Sequence, residues 1–143
     1  MDYKKCAEEL MHYMILGEER SRLVQSHISE LAHGELAVLR YLGEENNGAN
    51  AKELSQRFEV NTSRVAAILN SLVRKGYIVR QPDLTDKRMV HVFITEIGRE
   101  YAKERFSQFL IHSTAMLEQL GEEDTRNYIH ITKRLCSILK EMK

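Results

Sequence analysis

Length, composition and charge exclude several classes of protein. With 143 residues, the chain can form one compact domain, or a small domain with long helices, but not two independent cores. Apolar residues make up 43% and charged residues 29%, with a single proline, which is typical of helix-rich globular proteins and not of disordered or fibrous chains. No run approaches the roughly 18 to 20 apolar residues that cross a bilayer, and the N-terminus lacks a signal peptide's apolar stretch, so we expect a soluble cytoplasmic protein.

The charges are unevenly distributed along the chain. The formal net charge is zero, which by itself argues against nucleic-acid binding, because neutralising phosphates needs clustered lysine and arginine. The segment from Asn61 to His91, however, contains six basic and two acidic residues, a net charge of +4, so the rest of the chain carries −4. This asymmetry indicates a localised basic surface on an acidic body.

The cysteines and histidines form no recognisable ligand pattern. Cys6 and Cys136 lie near opposite ends of the chain without a CxxC spacing, which predicts buried or unreactive thiols rather than a disulfide or a structural zinc site. No H-x-x-H or H-x-x-x-H pair occurs on a predicted helix among the six histidines, which are His12, His27, His33, His91, His112 and His130. We therefore predict neither a metal nor another cofactor.

Hydrophobic periodicity predicts helices at the start of the chain. Apolar residues recur at helical spacing over Asp2–Val24, without a proline, which indicates a first helix. A second, short helix is predicted after Gly34, and it ends before Asn46–Gly48, a sequence typical of turns.

The next segment predicts a helix-turn-helix. Apolar residues three and four positions apart indicate one helix over Ala49–Phe58, and a tight connector containing Val60 follows. Asn61 is a favoured N-cap for a second helix, which ends at Lys75–Gly76. The apolar faces of the two helices consist of Ala51, Leu54, Phe58, Val65, Ile68, Leu69 and Leu72. Two short helices joined by a tight turn form the helix-turn-helix unit.

After this unit the periodicity changes from helical to alternating. Tyr77–Gln81 is rich in β-branched and aromatic residues, and Met89–Thr95 alternates between two faces, so we predict two antiparallel strands. One face of the second strand carries Val90, Val92 and Ile94, and the other carries Met89, His91 and Phe93. The connecting segment Pro82–Arg88 contains turn formers and ends with two basic residues, which predicts a hairpin wing.

The C-terminal part of the chain predicts two further helices. Thr95 is a suitable cap for a helix that runs to about Leu120, and Gly121 separates it from a last helix. The apolar residues of the last helix are spaced alternately three and four positions apart, as in a helix–helix seam: Tyr128, Ile131, Leu135, Ile138 and Met142. We expect this seam, with Leu10 and Met14 of the first helix, to be buried in a homodimer; an intramolecular bundle is the alternative.

The start of the second helix of the helix-turn-helix carries side chains suited to DNA. Such a helix enters the major groove of B-DNA with its N-terminal residues at the base edges. The residues there are Asn61, Thr62, Ser63 and Arg64, followed by the small residues Ala66 and Ala67. We expect Arg64 to make a bidentate guanine contact and Ala67 to allow close approach to a thymine methyl. Asn61 either contacts a phosphate or acts only as the helix cap.

The predicted wing carries a second basic site. A rigid hairpin that projects the Arg88 guanidinium, with Lys87 beside it, suits the narrow and electronegative minor groove of A·T-rich DNA. We expect Asp86 to orient Arg88 through a charge-assisted hydrogen bond. The alternative is a solvated turn whose charge pair has no function.

The order of these elements and the sequence around the wing resemble the MarR (multiple antibiotic resistance regulator) family. The family's pattern, D-x-x-D-x-R followed by a strand and L-T-x-x-G, is matched, with isoleucine in place of the leucine, at Asp83, Asp86, Arg88, Ile94, Thr95 and Gly98. The resemblance implies a mainly α fold with a small β-hairpin wing, as one protomer over 1–143. A winged helix-turn-helix lobe at 34–98 is flanked by dimerisation helices at 1–33 and 99–143, and Asp83 joins Asp86 in orienting the wing.

The resemblance also implies a function. A triangular homodimer with two winged lobes binds a pseudo-palindromic operator in double-stranded DNA, and a ligand controls repression. Many members carry a polar or basic residue in the recognition helix where this sequence has Ala67, so the bases that are read stay open. A small phenolic or lipophilic effector is expected between the dimer helices and the lobe, and its candidate lining residues, for which core packing is the alternative, are Met11, Tyr13, Met14, His33 and Phe109.

Three other functions are weighed against this one. A redox- or metal-responsive regulator of the same fold is one alternative, but only Lys4 and Lys5 are available to lower the pKa of Cys6, which predicts an inert thiol. A winged helix used as a protein-interaction module is another, although its helix start and wing are expected to be uncharged. The chain carries no G-x-S-x-G, phosphate-binding glycine loop or paired catalytic carboxylates, so we predict that it is not an enzyme.

Overall fold

The computed structural model describes residues 1–20 and 22–142, with the side chains of residues 1–17 and 28–142. The described elements, in chain order, are α1 Tyr3–Arg20, α2 Arg22–His33, α3 Glu35–Glu44, α4 Ala51–Phe58, α5 Thr62–Arg74, β1 Ile78–Pro82, β2 Val90–Ile94, α6 Glu96–Leu120 and α7 Glu122–Glu141. Residues 1–103 and 104–143 form two compact units. The predicted fold class, mainly α with a small β-hairpin, is confirmed.

The N-terminal helical region extends further than the sequence predicts. The predicted helix Asp2–Val24 corresponds to α1 and the start of α2, but α2 continues to His33, so residues 25–33 are wrongly left outside a helix. Ser21, inside the predicted helix, lies outside the described residues. No glycine or proline lies between Val24 and Gly34 to end the helix, and the Gly34 N–H still donates to the Glu30 carbonyl at 3.2 Å.

The core of the 1–103 unit lies between the short helices and the sheet. Its buried members are Leu36, Val38, Leu39, Leu42, Ala49, Leu54, Val65, Leu69, Leu72, Ile78, Val92, Ile94 and Ala102. The apolar face predicted for α5 is confirmed, with Ile68 packed against this cluster. On α4, Leu54 is buried and Phe58 packs against the core, but Ala51 is exposed because it occupies the first position of the helix. Each fully buried leucine contributes roughly 1.5 to 3 kcal/mol of transfer free energy.

The two strands pair in antiparallel register from Ile78 opposite Ile94 to Pro82 opposite Val90, within one residue of the predicted bounds. On the predicted inner face, Val92 and Ile94 are buried, but Val90 is 39% exposed because it lies at the outer end of the hairpin. The Val92 N–H donates to the Ala49 carbonyl at 2.9 Å. Asn50 forms an antiparallel bridge with His91, so the prediction that α4 begins at Ala49 is wrong, and the helix begins at Ala51.

The end of α5 and the start of α6 are joined by hydrogen bonds at the base of the hairpin. The Thr95 hydroxyl donates to the Gly76 carbonyl at 2.7 Å and accepts from the Gly98 N–H at 3.1 Å, which confirms Thr95 as the predicted cap. The Thr95 N–H donates to the Tyr77 carbonyl at 2.9 Å. A Cβ at Gly98 would overlap that same carbonyl oxygen, so only glycine fits there.

In the 104–143 unit, α6 ends and α7 begins at Gly121, as predicted. Gly121 has a φ of 86°, in the region that favours glycine. The Thr125 hydroxyl donates to the Leu117 carbonyl at 3.0 Å across the bend. No residue of α7 is buried within this chain. Among the described residues, no helix has both the length and the apolar content needed to cross a membrane.

Candidate nucleic-acid interface

The turn between α4 and α5 is fixed by local hydrogen bonds. Asn50 and Glu53 form a capping box at α4, in which each side chain accepts from the other residue's backbone N–H, at 2.9 and 3.0 Å. Glu59 follows α4 in the left-handed region, with a φ of 52°. The Ser55 hydroxyl donates to the carbonyl of Val60, whose side chain packs against the core, at 2.6 Å. These contacts fix the direction in which α5 leaves the turn.

The first turn of α5 presents polar side chains to solvent. Asn61 is the N-cap, and its Oδ1 accepts from the Arg64 N–H at 2.8 Å. Asn61, Thr62, Ser63 and Arg64 are all exposed, while the adjacent Val65 is buried. The cap role of Asn61 is therefore present, and its contact with a phosphate stays a prediction.

The exposed face of α5 continues through Ala66, Ala67 and Asn70. Asn70 Oδ1 accepts from Arg80 Nη2 of β1 at 2.7 Å, which fixes a polar pair between the helix and the hairpin. Sequence reasoning did not single out Asn70 or Arg80. The position of Asn70 could have been predicted from helical spacing. Residues three and four positions apart share a helix face, and Asn70 follows Ala67 and Ala66 at those distances.

The wing loop is organised around the Asp83 carboxylate. Its Oδ1 accepts from the backbone N–H groups of Thr85 and Asp86, at 2.8 and 3.0 Å, and from the Thr85 hydroxyl at 2.8 Å. Its Oδ2 lies 2.7 Å from His91 Nε2. The hydrogen bond from the Asp86 N–H, with those from His91 and Thr85, holds the pKa of Asp83 far below its usual value. Asp83 therefore stays ionised and orders the loop.

Asp86 in turn contacts Arg88. Its Oδ1 accepts from the Arg88 backbone N–H at 3.0 Å and from Arg88 Nε at 3.2 Å, so the expected contact is present. The Arg88 side chain is 92% exposed, and an ion pair of this kind adds little to stability. Its effect is to restrict the direction of the guanidinium. Lys87 and Leu84 are also exposed on this loop.

His91 is a second component of the wing that sequence reasoning missed. The alternation along β2 predicts only that His91 shares a face with Met89 and Phe93. In the structure its ring lies between two acceptors: Nδ1 is 2.7 Å from the Gly48 carbonyl oxygen, and Nε2 faces Asp83. The hydrogen bond with Asp83, followed by that with Gly48, raises the pKa of His91 above its ordinary value. No local pattern shows this arrangement, because Gly48 lies 43 residues away.

The residues predicted to form the dimer are exposed in the single chain. Their exposed fractions range from 46% to 77%, for Leu10 and Met14 of α1 and for Tyr128, Ile131, Leu135, Ile138 and Met142. Of the candidate effector residues, Met11, Tyr13, Met14 and His33 are exposed in the 1–103 unit, and Phe109 is half-buried in the 104–143 unit. The four exposed residues therefore do not serve as core residues within this chain.

The thiols and histidines show no ligand cluster in the part of the chain that is described. Among the side chains that the structure describes, those of residues 1–17 and 28–142, no three of His, Cys, Asp or Glu gather as metal ligands would. His27 lies among the residues whose side chains are not described. Cys6 and Cys136 are free and exposed on terminal helices, which excludes the buried alternative, and unreactive thiols stay a prediction.

Comparison with known proteins places these features in context. A model of the MarR family matches residues 30–89, which include the helix-turn-helix, β1 and the wing loop but not β2. The HTH-type transcriptional regulator YpoP of Bacillus subtilis is 32% identical over 71 residues, and the match spans half of each chain. The transcriptional regulator AdcR of Streptococcus pneumoniae is 25% identical over 136 residues, which cover 94% of this chain and 87% of AdcR.

Solved structures show the same architecture. Streptococcus pneumoniae FabT in complex with DNA superimposes with a TM-score of 0.69 at 21% sequence identity, covering 99% of this chain and 100% of FabT. The predicted winged helix fold and the resemblance drawn from the wing sequence are confirmed by these matches. YpoP and AdcR are both named as transcriptional regulators, which is the class of protein that the sequence predicts for this chain.

Proposed function

We propose that this chain is a DNA-binding transcriptional regulator of the MarR family, and that it acts as a homodimeric repressor that binds a pseudo-palindromic operator and is released by a small-molecule effector. The observation that carries the proposal is the pairing of two exposed basic sites in one lobe: the first turn of α5 and the arginine of an internally braced wing. Each is suited to a different groove of a duplex.

The α5 surface supports major-groove binding. Its exposed start combines a cationic side chain, Arg64, with backbone N–H groups and hydroxyls suited to phosphates. Ala66 and Ala67 give the next turn a low profile, which permits close approach to base edges. Asn70 follows on the same face and is held by Arg80 at 2.7 Å, which makes it a further candidate for DNA contact. FabT, a structural neighbour, has been solved in complex with DNA.

The exposed terminal helices support the homodimer. The predicted seam residues of α7 are each at least 46% exposed, and those of α1 at least 57%. An apolar stripe of this length is unusual on a monomer and is readily covered by a two-fold copy. Two symmetric lobes then reach successive major grooves about 34 Å apart.

The effector acts by preferring one lobe spacing over another. A ligand shifts the equilibrium only by its difference in affinity for the two arrangements, so a compound that binds a dimer with wrongly spaced lobes releases the operator. The candidate contacts in the 1–103 unit are the exposed residues Met11, Tyr13, Met14 and His33, and Phe109 of the 104–143 unit is a separate candidate. They supply the apolar and aromatic surface that a lipophilic molecule needs.

Selection of bound genomic fragments, followed by titration of the best one, tests the DNA contacts. We expect Arg64→Ala and Arg88→Ala each to weaken binding while leaving folding and dimerisation intact, because both side chains are exposed. A base contact is worth about 1 to 3 kcal/mol per protomer, so the loss of two per dimer lowers affinity by roughly thirtyfold to more than ten-thousandfold.

The matched control is Arg126→Ala on α7. Arg126 is also exposed and paired with a carboxylate, that of Glu122 at 3.1 Å, but it belongs neither to the lobe nor to the predicted seam. We expect this variant to bind as the wild type does. Wild-type affinity in both lobe variants would remove the assigned DNA-binding surface.

A further inference from the structure

The His91 ring is held between two groups that both accept hydrogen bonds. Nδ1 lies 2.7 Å from the Gly48 carbonyl oxygen, and Nε2 lies 2.7 Å from Oδ2 of Asp83. A neutral imidazole has one N–H, so one of its nitrogens would direct a lone pair at an acceptor. Only the imidazolium donates to both partners at once. The geometry therefore selects the charged form of His91.

This ring connects the wing to the body of the lobe. Gly48 belongs to the loop that precedes α4, whereas Asp83 belongs to the wing. From Asp83 the contacts continue through the backbone N–H of Asp86 to the Asp86 carboxylate, and from there to Arg88 Nε at 3.2 Å. One continuous series of hydrogen bonds thus runs from Gly48 to the wing arginine.

We propose that His91, in its charged form, is a positioning residue that braces the wing and makes DNA binding sensitive to pH. This inference rests on the proposed DNA-binding function. Loss of the ring proton breaks one of the two contacts, releases the Asp83 turn from the lobe and leaves Arg88 attached to a wing that is free to move. A rigid wing presents its guanidinium to the minor groove without losing conformational entropy on binding. A mobile wing loses that entropy when it binds, which weakens the affinity.

The surroundings of the ring agree with this role. The charged groups that act on His91 are Asp83 of the wing and Glu53 of the first turn of α4, and both are anionic. They join the Gly48 carbonyl in holding the pKa of His91 above its ordinary value of 6.5. Because that pKa is raised on folding, the brace is complete below the ordinary value and is lost as pH rises through the raised one.

Operator titrations across pH test the proposal. We expect wild-type affinity to fall by about tenfold or more between about pH 6 and about pH 9. His91→Phe fills a similar volume without an N–H donor, and we expect it to bind weakly at both pH values. His112→Phe, which replaces a histidine of α6, controls for the general effect of a histidine-to-phenylalanine change, and we expect it to keep the wild-type profile. A His91→Phe variant with wild-type affinity and an unchanged pH profile would overturn the proposal.

A measurement without DNA separates this inference from the proposed function. In the free protein, NMR titration is expected to give His91 a pKa above 6.5 that falls in Asp83→Asn. Amide order parameters of residues 84–88 are expected to drop as His91 deprotonates. Order parameters that stay constant through that titration would contradict the brace, even if no DNA sequence were bound. Thermal unfolding of both variants at about pH 6 verifies that they are folded.

Discussion

At the scale of single residues, the T-x-x-G sequence before α6 has a direct physical explanation. Thr95 uses its hydroxyl twice, donating to Gly76 and accepting from Gly98, and its own N–H donates to the Tyr77 carbonyl. The absence of a side chain at Gly98 lets the helix approach that carbonyl. The base of the wing is therefore tied to the first turn of α6 by backbone contacts that only one residue type allows.

Gly98→Ala is expected to destabilise the protein by about 1 to 3 kcal/mol, because the added methyl overlaps backbone that cannot move aside. Denaturant unfolding measures the loss. Gly17→Ala is the matched control, since Gly17 lies inside α1 and a Cβ there meets nothing within 4 Å. Alanine in an open helical position is expected to be neutral or to stabilise by up to about 1 kcal/mol. Equal stability of the wild type and Gly98→Ala would refute the close-packing explanation.

Single side chains also show where sequence reasoning reaches its limit. The contact between Asp86 and Arg88 was predictable because the partners are two residues apart and oppositely charged. The contacts of His91 with Gly48 and of Arg80 with Asn70 were not, because they join separate elements through the tertiary fold. Alternation along β2 assigned His91 to a face but gave no information about its partners.

At the scale of elements, helix boundaries were predicted correctly where a capping or helix-breaking residue marks them. Asn61 starts α5, Thr95 starts α6 and Gly121 separates α6 from α7, each as the local residue types predict. The predictions failed where no cap marks a boundary. Residues 25–33 lie in α2 without a distinctive start, and the Ala49 carbonyl accepts from β2 beside the bridge between Asn50 and His91, although the apolar side chain of Ala49 continued the helical pattern.

The two roles considered for Asn61 can be separated by substitution. Asn61→Ser keeps a capping oxygen, so stability is expected to change by only a few tenths of a kcal/mol, whereas Asn61→Ala is expected to cost about 1 kcal/mol. Asn61→Asp also keeps the cap but adds a negative charge where a phosphate is proposed to lie. We expect it to be as stable as the serine variant and to bind the operator at least about tenfold more weakly. Equal operator affinity in the two variants would place Asn61 away from the phosphates.

At the scale of the whole molecule, the proposed function has two parts: DNA recognition is assigned to the lobe, and dimerisation is assigned to the terminal helices. The lobe buries its apolar residues within one chain, so the sequence pattern alone was sufficient to predict it. The seam of α7 has no comparable partner in its own unit, since none of the helix is buried there. Periodicity identified these apolar residues correctly but cannot give the geometry of a second chain, and the dimer contacts stay a prediction.

Sedimentation velocity of the purified chain, alone and with its genome-selected duplex, tests the central claim most directly. We expect a dimer that binds one duplex, with affinity that falls steeply as salt increases. Leu135→Glu combined with Ile138→Glu is expected to give a monomer with weak DNA binding, whereas Lys133→Glu combined with Lys140→Glu, on the other side of α7, keeps the dimer. A wild-type chain that sediments as a monomer and shows no salt-sensitive preference for any duplex over random competitor would contradict the account.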